Sequence, residues 1–244
     1  MDLGELGARV RSAHADAWEV EGRARILQGG GWARFRDVRL MASGIPKAKW
    51  NNADITGGDA DLDRVADWYA ARNMPWGIRV PLDLDLSVGQ LLSVKRCVGI
   101  PADAFHDRGS DVRVRRGADT ELELIATLDA MESDLVAESR AWIAPQLGAR
   151  GFTHWIAEVG DRAVGLATTV RSNGDAGRAA YVTGVFARDD EVLEGLVAAA
   201  VAEAFDDGVE LVHANPGDDA EAERFLRLGA VEVPGFRVRL VRPD

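Results

Sequence analysis

The chain has 244 residues, 47% hydrophobic and 28% charged, with 29 Lys+Arg against 40 Asp+Glu and a net charge of −11. At about 150 residues per domain the length predicts one large domain or two small ones, and ordinary apolar content with interspersed charge excludes global disorder. A lone cysteine, Cys97, excludes a disulfide framework and a cysteine-built zinc site, which makes the cytoplasm the expected compartment.

The acidic balance is repelled by phosphate backbones, so neither nucleic acid nor an anionic membrane is expected as a partner. The first ten residues carry Asp2, Glu5 and Arg9 without the basic-then-apolar order of a signal peptide, and no apolar run approaches roughly 18 residues. His14, His106, His154 and His213 are far apart and none has a histidine or cysteine at i+4, so no metal is expected. Lysine occurs only at 47, 49 and 95; arginine carries the remaining positive charge, as in a GC-rich bacterial genome.

Helical spacing runs over residues 2–27 with Leu3, Leu6, Val10, Ala13, Ala17 and Trp18 on one side, ended by Gly29-Gly30-Gly31. Alternation at Phe35, Val38 and Leu40 predicts a strand over 32–43, resumed at 50–56 before the Gly57-Gly58-Asp59 turn. A helix over 61–73 presents Leu62, Val65, Ala66, Tyr69 and Ala70, a strand follows over 76–81, and a second helix is predicted over 87–95. The polar, Pro- and Gly-bearing stretch 100–111 is the expected domain boundary, dividing 1–108 from 112–244.

Beyond it the pattern predicts a strand (112–116), helices (119–128 and 134–146) and a meander of strands at 153–159, 163–171 and 179–187 around Gly160-Asp161 and Ser172-Asn173-Gly174. A helix over 191–205, a strand over 209–214, a helix over 219–228 and a closing strand over 231–241 complete it.

This order resembles the GNAT superfamily of N-acetyltransferases over the whole second half. Ala222-Glu223-Arg224-Phe225-Leu226-Arg227-Leu228-Gly229-Ala230 matches the spacing of the family's last helix, with Leu226 at the position of the usual tyrosine. Trp50-Asn51-Asn52-Ala53-Asp54 and the helix and strand after it look like the amino-terminal portion of two-domain relatives. The resemblance implies a tandem GNAT-like α/β (α+β) fold, with a mixed, mostly antiparallel central sheet flanked by helices in each half. Residues 1–108 would be a degenerate, cofactor-free copy and 112–244 the acyltransferase domain.

In the family an Arg/Gln-x-x-Gly-x-Gly/Ala loop at a helix start receives the diphosphate of coenzyme A on backbone N–H groups. Here Asp190 stands at the first Arg/Gln with the acidic Glu191 after it, Leu193 stands at the first glycine position, and only Gly195 is kept. Acidic side chains oppose a diphosphate, so this loop is degenerate unless Arg188, Arg224 or Arg227 folds over it.

The resemblance assigns acetyl-CoA, or another acyl-pantetheine thioester, to Val185, Phe186, Ala187, Arg188, Gly195, Asn215 and Phe225, with the oxyanion on a backbone N–H near 185–187. Period two places Leu211, His213 and Asn215 on one strand face, so His213 is the expected base, with Tyr181 as the second catalytic group. Trp50, Asn52 and Trp76 are expected to line the acceptor pocket.

The expected activity is transfer of an acyl group, acetyl by the resemblance, from a pantetheine thioester to the amine of a small molecule. An acyl carrier protein is the alternative donor, since it needs no diphosphate cradle. The rival reading is a non-catalytic GNAT-like binding or regulatory module that has lost coenzyme A. Such folds often form a homodimer, but no clean apolar stripe marks one here.

Overall fold

A computed structural model describes residues 1–107, 109–130 and 135–242. Helix α1 (Leu3–Ala24) starts where the Asp2 carboxylate accepts the Glu5 backbone N–H at 2.8 Å. A short 3-10 turn then ends at Gly29 in the left-handed region. Residues 32–43 form a hairpin rather than one strand: β1 (Gly31–Phe35) and β2 (Val38–Ala42) meet at Arg36-Asp37. Asp37 takes φ 55° there, a conformation aspartate tolerates, and its carboxylate accepts the Asp59 N–H.

β3 (Asn52–Ile55), α2 (Leu62–Ala70) and β4 (Trp76–Pro81) follow as expected. The predicted helix over 87–95 is instead the start of β5 (Gln90–Pro101). Leu91, Leu92 and Val94 are exposed, so the apolar spacing that suggested a helix has no core to face, and pairing with the last strand decides the conformation. β5 also runs through the first two residues of the expected linker.

The second half contains β6 (Arg113–Arg116), α3 (Leu122–Asp129), α4 (Val136–Ile143), β7 (Phe152–Val159), β8 (Arg162–Gly174), β9 (Gly177–Ala187), α5 (Asp190–Asp206), β10 (Leu211–Ala214), α6 (Asp219–Arg227) and β11 (Val231–Arg242). The expected helix start at Asp134 and the boundary residue Arg108 lie outside the described residues. The β8–β9 turn sits at Asp175-Ala176, just past the expected Ser172-Asn173-Gly174.

All strands join one eleven-stranded sheet in the order β1-β2-β3-β4-β11-β5-β10-β9-β8-β7-β6. Among the described residues only β3/β4 and β9/β10 are parallel, and each of these pairs is bridged by one helix, α2 or α5. The halves therefore repeat one another: a three-strand meander, a crossover helix and a parallel strand. They also exchange their next strand. β5, from the first half, lies against β10 of the second, while β11, from the second, lies against β4 of the first.

Period-two alternation gives the sheet two unlike faces. One is apolar: Leu40, Ala53, Ile78, Ala180, Val182 and Val212 belong to the cores under α2, α5 and α6. The α1 face also has apolar clusters, including Leu6, Val10 and Leu211, but the residues alternating with the first set there are polar: Arg39, Asp54, Arg79, Tyr181, Thr183 and His213. α1 meets them with its own buried acids. Glu19 pairs with Arg34 and lies 3.8 Å from Arg39, while Glu21 lies 3.0 Å from Arg25 at the helix's own C-terminus. No helix of the described residues is long and apolar enough to cross a membrane.

Candidate acyl-transfer site

β10 pairs with β9 only as far as Ala214 and Val182, whereas β9 continues to Ala187. Among the described residues, residues 183–187 therefore have no strand partner on the β10 side, leaving a slot between two parallel strands. On its other side β9 bulges: Gly184 and Val185 oppose the single Ala167 between the Thr168–Thr183 and Leu166–Phe186 pairs. Gly184 has φ 57°, which a glycine adopts at little cost.

Two connected chambers open on the α1 face at this slot. The first, about 350 Å³, is lined by Trp18, Trp50, Trp142, Asp129, Glu138 and Phe186 among others. The second, about 390 Å³, is lined by His14, Asn52, Arg79, Ser93, Lys95 and Asn215 among others. Trp18, Lys49, Tyr181 and Thr183 line both, so they form one cleft whose shared floor is β9.

The wall of the first chamber is a column. The Arg25 guanidinium lies 3.8 Å from the Trp142 ring centroid, Trp142 stacks on Trp50 at 4.1 Å, and the Lys49 ammonium lies 4.7 Å from Trp50. Trp50 Nε1 donates to Glu138 at 3.1 Å, and Lys47 and Lys49 both pair with Glu138. Those hydrogen bonds hold the Glu138 carboxyl down at about 2, so it is ionised at neutral pH and poor at taking a proton.

Asp129 behaves oppositely. Burial raises its pKa above the usual carboxylate value, against the lowering effect of a hydrogen bond from Ser139. A Cβ built on Gly184 would lie 3.8 Å from Asp129 Oδ1, which puts this carboxylate beside the bulge. The Tyr181 hydroxyl is pushed up to about 12 by burial, offset by a hydrogen bond with Thr183, and stays protonated at neutral pH. The cleft thus holds a proton acceptor and a proton donor whose surroundings separate their roles.

No protein-family model matches the sequence, and no curated protein matches it either. Solved structures do. A GCN5-related N-acetyltransferase from Kribbella flavida superposes over 96% of this chain and 94% of its own, with TM-score 0.67 at 14% identity. The chain has the GNAT fold. A GNAT-family protein from Novosphingobium aromaticivorans shares it over 87% and 90% of the two chains (TM-score 0.54, 14% identity). So does a functionally unknown conserved protein from Staphylococcus epidermidis, over 86% and 92% (TM-score 0.59, 13% identity).

Within the GNAT fold the expected site residues divide. Tyr181, Phe186, Trp50, Asn52 and Asn215 all line the cleft. Asn215 donates through Nδ2 to the Arg96 carbonyl at 3.0 Å, and its buried Oδ1 has no partner among the described residues. Val185 and Ala187 flank Phe186 on β9 and turn their side chains to the apolar core; Arg188 is exposed.

Four expectations are corrected. His213 is buried, stacked on Tyr181 with ring centroids 5.0 Å apart, and lines neither chamber. Burial pushes it down to about 3, so it is a neutral imidazole without the basicity the reaction needs. Phe225 is fully buried in the core under α5 and α6. Trp76 faces α2, stacked on Tyr69 at 4.8 Å, because its place in the strand alternation puts it on the apolar side. Gly195 is covered by the chain itself: an added Cβ would lie 2.4 Å from Ser110 Oγ.

At the start of α5 the acidity is met from α6. Arg224 pairs with Asp190 at 2.5 Å, and Arg227 holds Glu194 with two bonds of 3.1 Å. Asp189 caps no backbone N–H with its side chain, so the first-turn amides of α5 are free of such a cap.

Sequence reasoning missed Asp129, Trp18, Glu138, Arg79 and Lys95. One signal was available. In this arginine-rich chain all three lysines converge on the cleft: Lys49 and Lys95 line it, and Lys47 pairs with Glu138.

Proposed function

We propose that the chain is an acyltransferase that moves an acyl group, acetyl in the simplest case, from a pantetheine thioester to the amine of a small molecule. The observation that carries this reading is the coincidence of an unpartnered β9 edge, the bulge at Gly184, and Asp129 and Tyr181 in one cleft. A pantetheine arm fits the edge: its amides can pair with residues 183–187 as a further strand would. The diphosphate of coenzyme A fits the uncapped amides of α5, where Arg224 and Arg227 offset two of the carboxylates.

In the reaction the neutral amine attacks the thioester carbonyl, and a carbon–nitrogen bond forms as the carbon–sulfur bond breaks. Asp129 takes the proton lost by the amine, and Tyr181 supplies one to the departing thiolate. Backbone N–H groups at the bulge receive the oxyanion. Proton return from Asp129 to Tyr181 through water restores the site.

The test is calorimetric titration of the protein with acetyl-CoA at low salt, which leaves phosphate contacts unscreened. Micromolar binding, weakened by Gly184→Val because valine disfavours a positive φ, is the expected result. Absence of heat with acetyl-CoA together with binding of an acylated carrier protein would transfer the donor role to the carrier. Absence of binding to both would leave a non-catalytic module.

A further inference from the structure

The two chambers differ sharply in charge. The first has Glu21, Asp129 and Glu138 in its lining, whereas among the described residues no aspartate or glutamate lines the second, which has Lys49, Arg79 and Lys95. This wall is thus cationic in a chain of net charge −11, with the carboxylates of Asp54, beside Arg79, and Glu221, which acts electrostatically on Lys95, set behind it. Lys49 is balanced by Glu138 and Arg79 by Asp54, but Lys95 has no ion pair among the described residues.

Arg79 is the anchor of this wall. Its side chain is nine-tenths buried, with its guanidinium 3.8 Å from the Trp18 ring centroid, and only Nη1 donates to Asp54, at 3.0 and 3.2 Å. The edge formed by Nε and Nη2 donates to no protein acceptor among the described residues. Such an edge matches the two oxygens of a carboxylate, and stacking on Trp18 fixes its plane in advance. Ser93, Asn52 and Asn215 add neutral polar groups around it.

We propose that the second chamber binds a carboxylate carried by the acceptor, so that the substrate class is an amino acid whose amine lies over the shared floor at Tyr181 and Thr183. This rests on the acyltransferase reading for the chemistry, but the recognition of the carboxylate stands on the chamber alone. Neither face of the Trp50–Trp142 stack is open, since Lys49 and Arg25 cover its two ends. The first chamber therefore offers ring edges, not a stacking platform, to the rest of the acceptor.

The experiment measures thiol release from acetyl-CoA with the proteinogenic L-amino acids, their decarboxylated amines and their amides, using the wild-type chain and Lys95→Glu. Lys95 is exposed, so the variant is expected to fold, and a thermal melt checks this. Amino acids are expected to react at least tenfold better in kcat/KM than the matched amines and amides. Lys95→Glu should raise the KM for the amino acid about tenfold and leave that for acetyl-CoA unchanged.

Equal rates with and without the carboxylate, or an unchanged KM in Lys95→Glu, would overturn the proposal. A KM effect confined to succinyl-CoA would assign the carboxylate to the donor and overturn it for the acceptor. If no probe is turned over, the acyltransferase reading fails separately, and calorimetry with the same amino acids decides the chamber: binding lost in Lys95→Glu supports it, and no heat with any of them overturns it.

Discussion

Two side chains in the cleft have pKa values displaced in directions that suit their roles. Asp129 is raised by burial, so kcat/KM should climb with pH along a limb above the ordinary carboxylate value, as the base loses its proton. Asp129→Asn is expected to remove that limb and lower kcat by about 100- to 10,000-fold, the range of a lost general base. Tyr181→Phe should lower kcat with little change in KM, because the hydroxyl acts on the leaving thiolate. Steady-state kinetics from pH 5 to 9 check both, and an unchanged acid limb in Asp129→Asn would exclude this carboxylate as the base. Asp129 was not legible in the sequence because nothing local marks it: it is the last residue of α3, and its meaning comes from Gly184, 55 positions away.

Among the elements, β11 and β5 carry the connection between the halves. At Gly235 the backbones pass so closely that an added Cβ would lie 1.8 Å from the Lys95 carbonyl oxygen. Gly235→Ala is therefore expected to cost about 1–3 kcal/mol or more, readable as a lower urea midpoint, since a backbone atom cannot move aside as a side chain does. Neither 1–108 nor 112–244 should fold alone, because each lacks a strand supplied by the other, and mixing the two should restore the native circular dichroism. A folded isolated half would refute this.

The same two strands show where the sequence was legible. The meander, α5, β10 and α6 could be read because alternation, caps and turn glycines agreed with the final fold. β5 could not: its exposed Leu91, Leu92 and Val94 have no periodic core, and a partner 140 residues distant sets its state. His213 was placed on the correct face but assigned the wrong chemistry, because alternation tells which side a residue faces and not how deeply it is covered.

Over the whole molecule, three buried histidines govern the response to acid. His14 is held well below its ordinary value, His154 near about 4 and His213 near about 3, each chiefly by burial. Unfolded histidines bind protons from about pH 6.5 downward while the folded ones stay neutral, so stability should fall as pH drops below that value. Asp16, Glu21, Asp54, Asp129 and Glu221 have raised values and work in the other direction, binding protons in the folded state first. The histidine slope should therefore be plainest near pH 6 to 5. In His213→Asn that slope should decrease by about 1.4 kcal/mol per pH unit, measured by urea unfolding at several pH values. An unaltered slope would mean that His213 is protonated in the folded chain.

The exchanged strands also order events during synthesis. β4 cannot gain its outer neighbour, nor β5 its second one, until β11 has left the ribosome, because Phe236 pairs with both Pro81 and Lys95. At about 5–20 residues per second, those two strand edges wait on the order of ten seconds or more after their own emergence. A nascent chain paused before residue 231 would present them as sticky seams, and holdase chaperones should crosslink most strongly there.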